Sequence, residues 1–236
     1  MFHELFTHVM IAYKYLMLTK TMFSVPLELI DQAKKIIPRL DFRLSINQPT
    51  GRFFYDHWEI KSEFQNTVWE TILNSLPSPL GEARIIELKH GTCYMSHSDI
   101  DERYHLNLEG QCSFLIDLDS QQMYPTIADG NWYLMNTGIR HVAANFGSIN
   151  RFQLVVRKLL NDPELIDPIS VEIKPVCVNP RFEFDDIISP WLHKMNKESQ
   201  INQFKVSDEG VSFNMAKKYL DNLDLFSAEK FKIIKK

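Results

Sequence analysis

His97 and Asp99 stand two residues apart in the run Tyr94-Met95-Ser96-His97-Ser98-Asp99. On a strand, residues at this spacing point to one face. The pair would offer an imidazole and a carboxylate to one metal ion. His141, on a later strand-like segment, would add a second imidazole. Two His and one carboxylate, with other coordination positions left open, suit a non-haem Fe(II) centre that handles oxygen. Arg151 follows ten residues after His141 and opens an apolar run. A guanidinium there can take the carboxylate of an oxo-acid cosubstrate in a two-pronged grip. A rival pair, His57-Trp58-Glu59, sits at the start of a helical pattern, and no later His and Arg follow it at matching offsets.

The elements that must position these residues are legible as a change of period. From 81 to 160 the chain alternates with period two. Arg103, His105 and Asn107 interleave with Tyr104, Leu106 and Leu108, and further runs cover 113–118, 123–127, 132–135, 139–145 and 152–156, with 83–89 before them. Many short strands at even spacing imply a sandwich or barrel, and a double-sheet jelly roll of cupin-like type, a double-stranded β-helix, accommodates them. Gly130, in Ala128-Asp129-Gly130-Asn131, stands where a turn needs positive φ. Residues 1–80 read as a mixed part dominated by helices. Phe2 to Met17 carry apolar residues at helical spacing, Pro26 to Ile37 read as a helix ended by Pro38, and Glu59 to Leu76 as another ended by Pro77. Short strands are expected at 42–46 and 52–55. Residues 161–236 read as a helical cap, with helices near 185–197 and 213–222. The expected fold is therefore mainly β, one domain, with N-terminal helices, a jelly-roll core and a C-terminal helical cap.

Composition sets the class. A chain of 236 residues suffices for one sizeable core. The net charge of −4 gives no global field to attract nucleic acid. The N-terminal pattern is too polar for a signal sequence and too short for a membrane span. Cys93, Cys112 and Cys177 show neither metal spacing nor a disulfide framework, which fits reduced thiols in the cytoplasm. Cys93 and Cys112 are expected to be small buried thiols in strands. The basic residues from Lys230 to Lys236 read as a solvated tail. Trp132 and Tyr133 read as core.

At the motif level a resemblance emerges. His97-Ser98-Asp99-Ile100-Asp101-Glu102-Arg103-Tyr104-His105-Leu106-Asn107-Leu108 resembles the first metal motif of the aspartyl/asparaginyl β-hydroxylase family. Asn136 to Asn145, continuing to Asn150-Arg151-Phe152, resembles its second. The likeness covers about 83–158. It implies an Fe(II)/2-oxoglutarate-dependent dioxygenase that hydroxylates an amino acid, free or in a peptide or protein, with O2 as cosubstrate and succinate and CO2 as co-products. His97, Asp99 and His141 would then hold the iron. Arg151, assisted by His105, would bind 2-oxoglutarate, and Arg103 would contact a substrate carboxylate. Asn107, Asn136 and Asn145 are weaker pocket candidates. Animal members that modify Asp and Asn in proteins lack the metal carboxylate. Asp99 thus brings this chain nearer to members acting on amino acids, such as bacterial proline 3-hydroxylases. The competing reading is a non-oxidative cupin-type metal-binding protein or isomerase. Neither substrate nor oligomeric state is written in the sequence.

Overall fold

The computed structural model describes residues 16–37, 43–176 and 184–236. The N-terminal amphipathic pattern up to residue 15, Pro38 and Cys177 lie outside them. The architecture is mainly β, with antiparallel sheets. Its centre is the set of short strands expected from the alternation: β5 (Ala83–Leu88), β6 (Thr92–Cys93), β7 (Arg103–Glu109), β8 (Ser113–Asp117), β9 (Met123–Pro125), β10 (Asn131–Met135), β11 (His141–Asn145) and β12 (Arg151–Arg157). They divide into two sheets. One runs β10-β7-β12-β5, and β1 (Leu18–Ser24) and β2 (Arg43–Ser45) extend it to six strands. The other runs β6-β11-β8-β9. Chain neighbours fall in opposite sheets at most steps, which is a jelly-roll-like pattern.

The six-stranded sheet is buried on both sides, with unlike faces. Ala83, Ile85, Tyr104, Leu106, Leu108, Trp132, Leu154 and Val156 form an apolar outer face, packed under α1 (Leu27–Lys35) and α2 (Val68–Leu73) through Ile30, Ala33, Trp69, Ile72 and Leu73. The alternate residues point inward. Registry places Arg84 opposite Val155, Gln153 opposite Ile86 and Asn107, Arg151 opposite Leu88, and Arg157 opposite Arg103. A slip of one residue would exchange these faces. The alternation thus fixes at once where the core lies and where polar chemistry is held.

Helix α1 carries Glu28 in its first turn and Lys34 and Lys35 in its last, matching the helix dipole. Helix α2 is shorter than the periodicity of 59–76 predicts. Trp58–Ile60 is instead strand β4, paired with β3 (Asn47–Pro49). Asn66 adopts φ 57°, and the Thr67 hydroxyl accepts a hydrogen bond from the Trp69 amide, which caps the helix there. The expected strand at 52–55 is a turn, closed by bonds from the Tyr55 and Asp56 amides to the Arg52 carbonyl. The N-terminal part is therefore as much strand as helix among the described residues.

The C-terminal part corrects the expected helical cap. It is a four-stranded antiparallel sheet, β14-β15-β13-β16, built from β13 (Pro168–Pro175), β14 (Ile201–Ser207), β15 (Gly210–Ala216) and β16 (Phe231–Lys235). One helix, α3 (Ser189–Lys197), preceded by a wide turn at Phe184–Ile188, packs on it through Trp191, Leu192 and Met195. The helix expected at 213–222 begins as β15, because Val211, Phe213 and Met215 alternate into the buried cluster. The basic end is not a free tail: β16 pairs with β13 along Pro175–Val171. No described helix is long and apolar enough to cross a membrane.

Gly130 has φ +75°, and an added Cβ would meet the Val25 carbonyl oxygen at 2.4 Å. Gly91 has φ +65° and open space around it. Gly130→Ala should therefore cost more than 2 kcal/mol, as strain plus a backbone clash, against about 1 kcal/mol for Gly91→Ala. Chemical denaturation of the two variants checks the order.

Candidate metal centre

The centre is made where a loop meets a strand. His97 and His141 exchange two backbone hydrogen bonds, His97 N to His141 O at 3.0 Å and His141 N to His97 O at 2.9 Å. Asp99 N donates to Thr137 O at 2.8 Å. His97 is thus held by an isolated bridge, and Asp99 lies in irregular chain just before a bend at Ile100, not on the regular strand that the two-residue spacing suggested. His141 opens β11, as expected. The result is the predicted set. One ligand atom each from His97, Asp99 and His141 lies within 4.8 Å of the others.

Second partners orient the ligands. The His97 Nδ1 is 3.0 Å from the Met95 carbonyl, and the His141 Nδ1 is 2.7 Å from that of Ile139. A carbonyl oxygen only accepts, so each Nδ1 carries the proton and each Nε2 presents a lone pair. Asp99 Oδ1 takes a 2.6 Å contact from Arg103 Nη2. Its Oδ2 lies 3.6 Å from the His97 Nε2 and is buried without a hydrogen-bond partner among the described residues. Burial raises the Asp99 pKa, but Arg103, then His97 and His141, outweigh it and hold the carboxyl below the usual carboxylate range. Burial, with His97 alongside, lowers His141 to about 4. These residues meet the demands of a divalent cation: two imidazoles that turn Nε2 toward the gap and one ionised oxygen, none with a hydrogen bond to its ligand atom among the described residues.

Arg151 opens β12 and is 2% exposed. Its Nε and Nη1 have no hydrogen-bond partner among the described residues. Burial draws its pKa down to about 10. A small cavity of about 50 Å³ joins Arg151 to His97 and His141, bounded by Leu115, Met135, Thr137, Ala143, Gln153 and Val155. His105 lines it too, with neither ring nitrogen hydrogen-bonded among the described residues, and burial followed by Arg103 and Arg151 holds it neutral. A buried cation with bare donors is a costly arrangement that an anionic ligand relieves.

Arg103 is the predicted residue whose surroundings differ most from its expected role. It grips Asp99 and, through Nε, Asp101 at 3.2 Å. Asp101, 1% exposed, also takes Arg157 Nη1 at 2.5 Å, and its carbonyl accepts from Thr137 Oγ1 at 2.5 Å. Arg103 thus holds the carboxylate of Asp99, one of the three candidate ligands, while lining both cavities. Asn107 is tied to Gln153 and the Ile127 carbonyl, and Asn145 to the Leu88 and Ile149 carbonyls. Asn136 keeps a buried Oδ1 with no partner among the described residues. His57 Nδ1 accepts from the Leu80 amide, and His57 stands apart from the centre beside β4. Trp132 is core, whereas Tyr133 is half-buried and donates to Asp129 at 2.8 Å. Cys93 and Cys112 are exposed rather than buried, Cys112 at a turn with φ 49°. Sequence reasoning passed over Arg84, Asp101 and Arg157. The signal was the same alternation: Arg84 and Arg157 are charges at core-facing places of apolar strands.

No protein-family model matches this chain, and no curated protein does. Among solved structures it is similar to an oxidoreductase of the 2OG-Fe(II) oxygenase family from Burkholderia pseudomallei. The identity is 14% and the TM-score 0.41, over 56% of this chain and 76% of that one.

Two outcomes follow for the centre. Arg103→Gln should weaken metal binding about 10- to 100-fold, since Asp99 loses the partner that aims it; metal titration by calorimetry reads this. Below pH 6.5 the unfolded chain binds a proton that folded His141 refuses until about pH 4. The metal-free protein should therefore lose stability as pH falls through that window, by at most about 3 kcal/mol from this group. Denaturation at pH 7.5 and 5 measures the loss, which His141→Gln should reduce.

Proposed function

We propose that this chain is an Fe(II)/2-oxoglutarate-dependent dioxygenase that hydroxylates an amino acid, free or within a peptide or protein. Its core is read as a double-stranded β-helix of cupin-like type. One observation carries the proposal: His97 and His141, whose ligand atoms converge with that of Asp99, line a small cavity together with buried Arg151, whose Nε and Nη1 have no hydrogen-bond partner among the described residues. A metal site alone leaves Arg151 without a purpose. An oxo-diacid that reaches from the metal to Arg151 accounts for both.

In this reading His97 Nε2, Asp99 Oδ2 and His141 Nε2 hold Fe(II). When bound, the iron supplies O2 activation coupled to decarboxylation of the oxo acid, so that substrate C–H, O2 and 2-oxoglutarate become substrate C–OH, succinate and CO2. The protein's own contributions are positional. Arg151 takes the far carboxylate in a site that excludes water, where a charge-assisted pair is strong. Neutral His105 lies beside that carboxylate and adds a donor without adding charge. Leu115, Met135, Ala143 and Val155 wall the cavity. Arg103 keeps Asp99 ionised and aimed. The free, exposed thiols of Cys93 and Cys112 suit a reducing, cytoplasmic setting.

Anaerobic titration of the Fe(II)-loaded protein with 2-oxoglutarate should raise a saturable visible charge-transfer band. His97→Ala, Asp99→Ala and His141→Ala should each abolish it together with succinate release. Arg151→Ala should keep metal affinity and need about 100-fold more 2-oxoglutarate, the scale for removing one partner of a buried ion pair. A folded, iron-loaded protein with no band would favour the non-oxidative metal-binding reading.

A further inference from the structure

Outside the small cavity lies a larger one of about 460 Å³, and the two share Ile86, Tyr94, His97 and Arg103. It opens on the metal ligands His97 and Asp99, so a substrate presented to the metal occupies it. Four arginines line it: Arg43, Arg84, Arg103 and Arg157. Two of them are committed. Arg103 holds Asp99 and Asp101, and Arg157 holds Asp101 and, through Nε, Glu82 at 3.1 Å. Arg84 is different. It is 6% exposed, and among the described residues its ion-pair partner is Glu82, from Nη1 at 3.3 Å, through an oxygen already shared with Arg157. Its Nε is buried without a partner among the described residues. Burial, then Arg103 and Arg157, lower its pKa to about 9, the mark of a cation with too little anion around it. Arg43 is exposed on β2, one place along the same inward row, since Ser45 pairs with Arg84 and Arg43 with Ile86.

The charges around the larger cavity can be counted. Arg43, Arg84, Arg103 and Arg157 face Glu82, Asp99, Asp101 and Asp185, four against four. A divalent metal and Arg151 add three positive charges, and a doubly charged oxo acid removes two. One positive charge is left over, and Arg84 is the buried cation of the larger cavity whose pairing is least complete. Glu82 and Asp101 are already spent on arginines, so they are not placed to receive a substrate ammonium.

We propose that the substrate is an acid of net charge −1 whose carboxylate docks on Arg84, with Arg43 supporting it at the cavity mouth. The net charge and the chemistry that follows rest on the dioxygenase reading; the anion site itself stands on Arg84. The fork of Arg84 suits a planar carboxylate, and the distance from the metal selects which carbon is presented. The carboxylate has two sources, a chain-terminal α-carboxylate or an acidic side chain.

The probes are N-acetylglutamine, which has only the α-carboxylate, the α-amide of N-acetylglutamic acid, which has only the side-chain carboxylate, and N-acetylglutamine amide, which has neither. Binding is measured by ligand-detected NMR on the metal-free protein, and by perturbation of the visible band on the anaerobic Fe(II)–2-oxoglutarate protein. At least one acid should bind 10-fold or more tightly than the amide, and which one does identifies the source. Arg84→Gln should erase that preference, Arg84→Lys should restore part of it, and Arg43→Gln, an exposed change, should weaken it a few-fold. Each variant is first shown to be folded by its amide spectrum. Equal binding of acid and amide, no binding of any probe, or an unchanged preference in both Arg84 variants overturns the proposal. Acid binding that depends on Arg84, in a protein that forms no band, upholds the anion site and removes the dioxygenase reading.

Discussion

The pair of backbone hydrogen bonds between His97 and His141 is the contact on which the centre depends. Without it the segment from Tyr94 to Arg103 would be an ordinary loop between β6 and β7, free to carry His97 and Asp99 away from β11. With it, the two imidazoles are brought to a ring separation of 4.4 Å. The Asp99 amide, bonded to Thr137, adds a third tie to the turn before β11. Backbone bonds fix direction as well as distance, so the ligand side chains need little further ordering when a metal arrives. Conformational entropy is settled during folding rather than at binding.

A second constraint is electrostatic. The inward face of the six-stranded sheet gathers Arg43, Arg84, Arg103, Arg151 and Arg157 in a space that a sandwich would ordinarily fill with apolar side chains. Buried charges are tolerated when paired. Asp99, Asp101 and Glu82 pair some of these, and the incomplete pairing of Arg84 and Arg151 marks where ligands are missing from the protein's own inventory. The outer face of the same strands shows the opposite solution, an apolar layer under α1 and α2. One sheet thus separates stability from chemistry by the period of its side chains.

That division was legible in the sequence because it repeats. Apart from the two-residue β6, the strands from Ala83 to Arg157 are legible from alternation, and His97, Asp99, His141 and Arg151 from type and spacing. What was not legible depended on pairing partners far along the chain. Ile169, Val171 and Ile173 alternate cleanly, as do Val211, Phe213 and Met215, yet prolines at both ends of the first run and helix-forming residues after the second obscured them. Only the pairing of Phe213 with Val171, and of Lys235 with the same residue, decides for sheet. Arg103 shows a similar limit: its place on β7 follows from the sequence, while its grip on Asp99 depends on the path of the intervening loop.

Ile100 gives the ligand loop a second meaning. It follows Asp99 directly, yet it belongs to the C-terminal hydrophobic cluster with Trp191, Leu192 and Phe213. On the other side of the loop, Gly138 sits so close to the His193 ring that an added Cβ would meet it at 2.7 Å. The candidate ligands therefore lie on the seam between two separately packed clusters. An ion held by them would be a clasp: it would join β11 of the central sandwich to a loop whose Ile100 packs in the C-terminal cluster. Binding energy spent on such an ion would therefore also hold the loop to the sandwich.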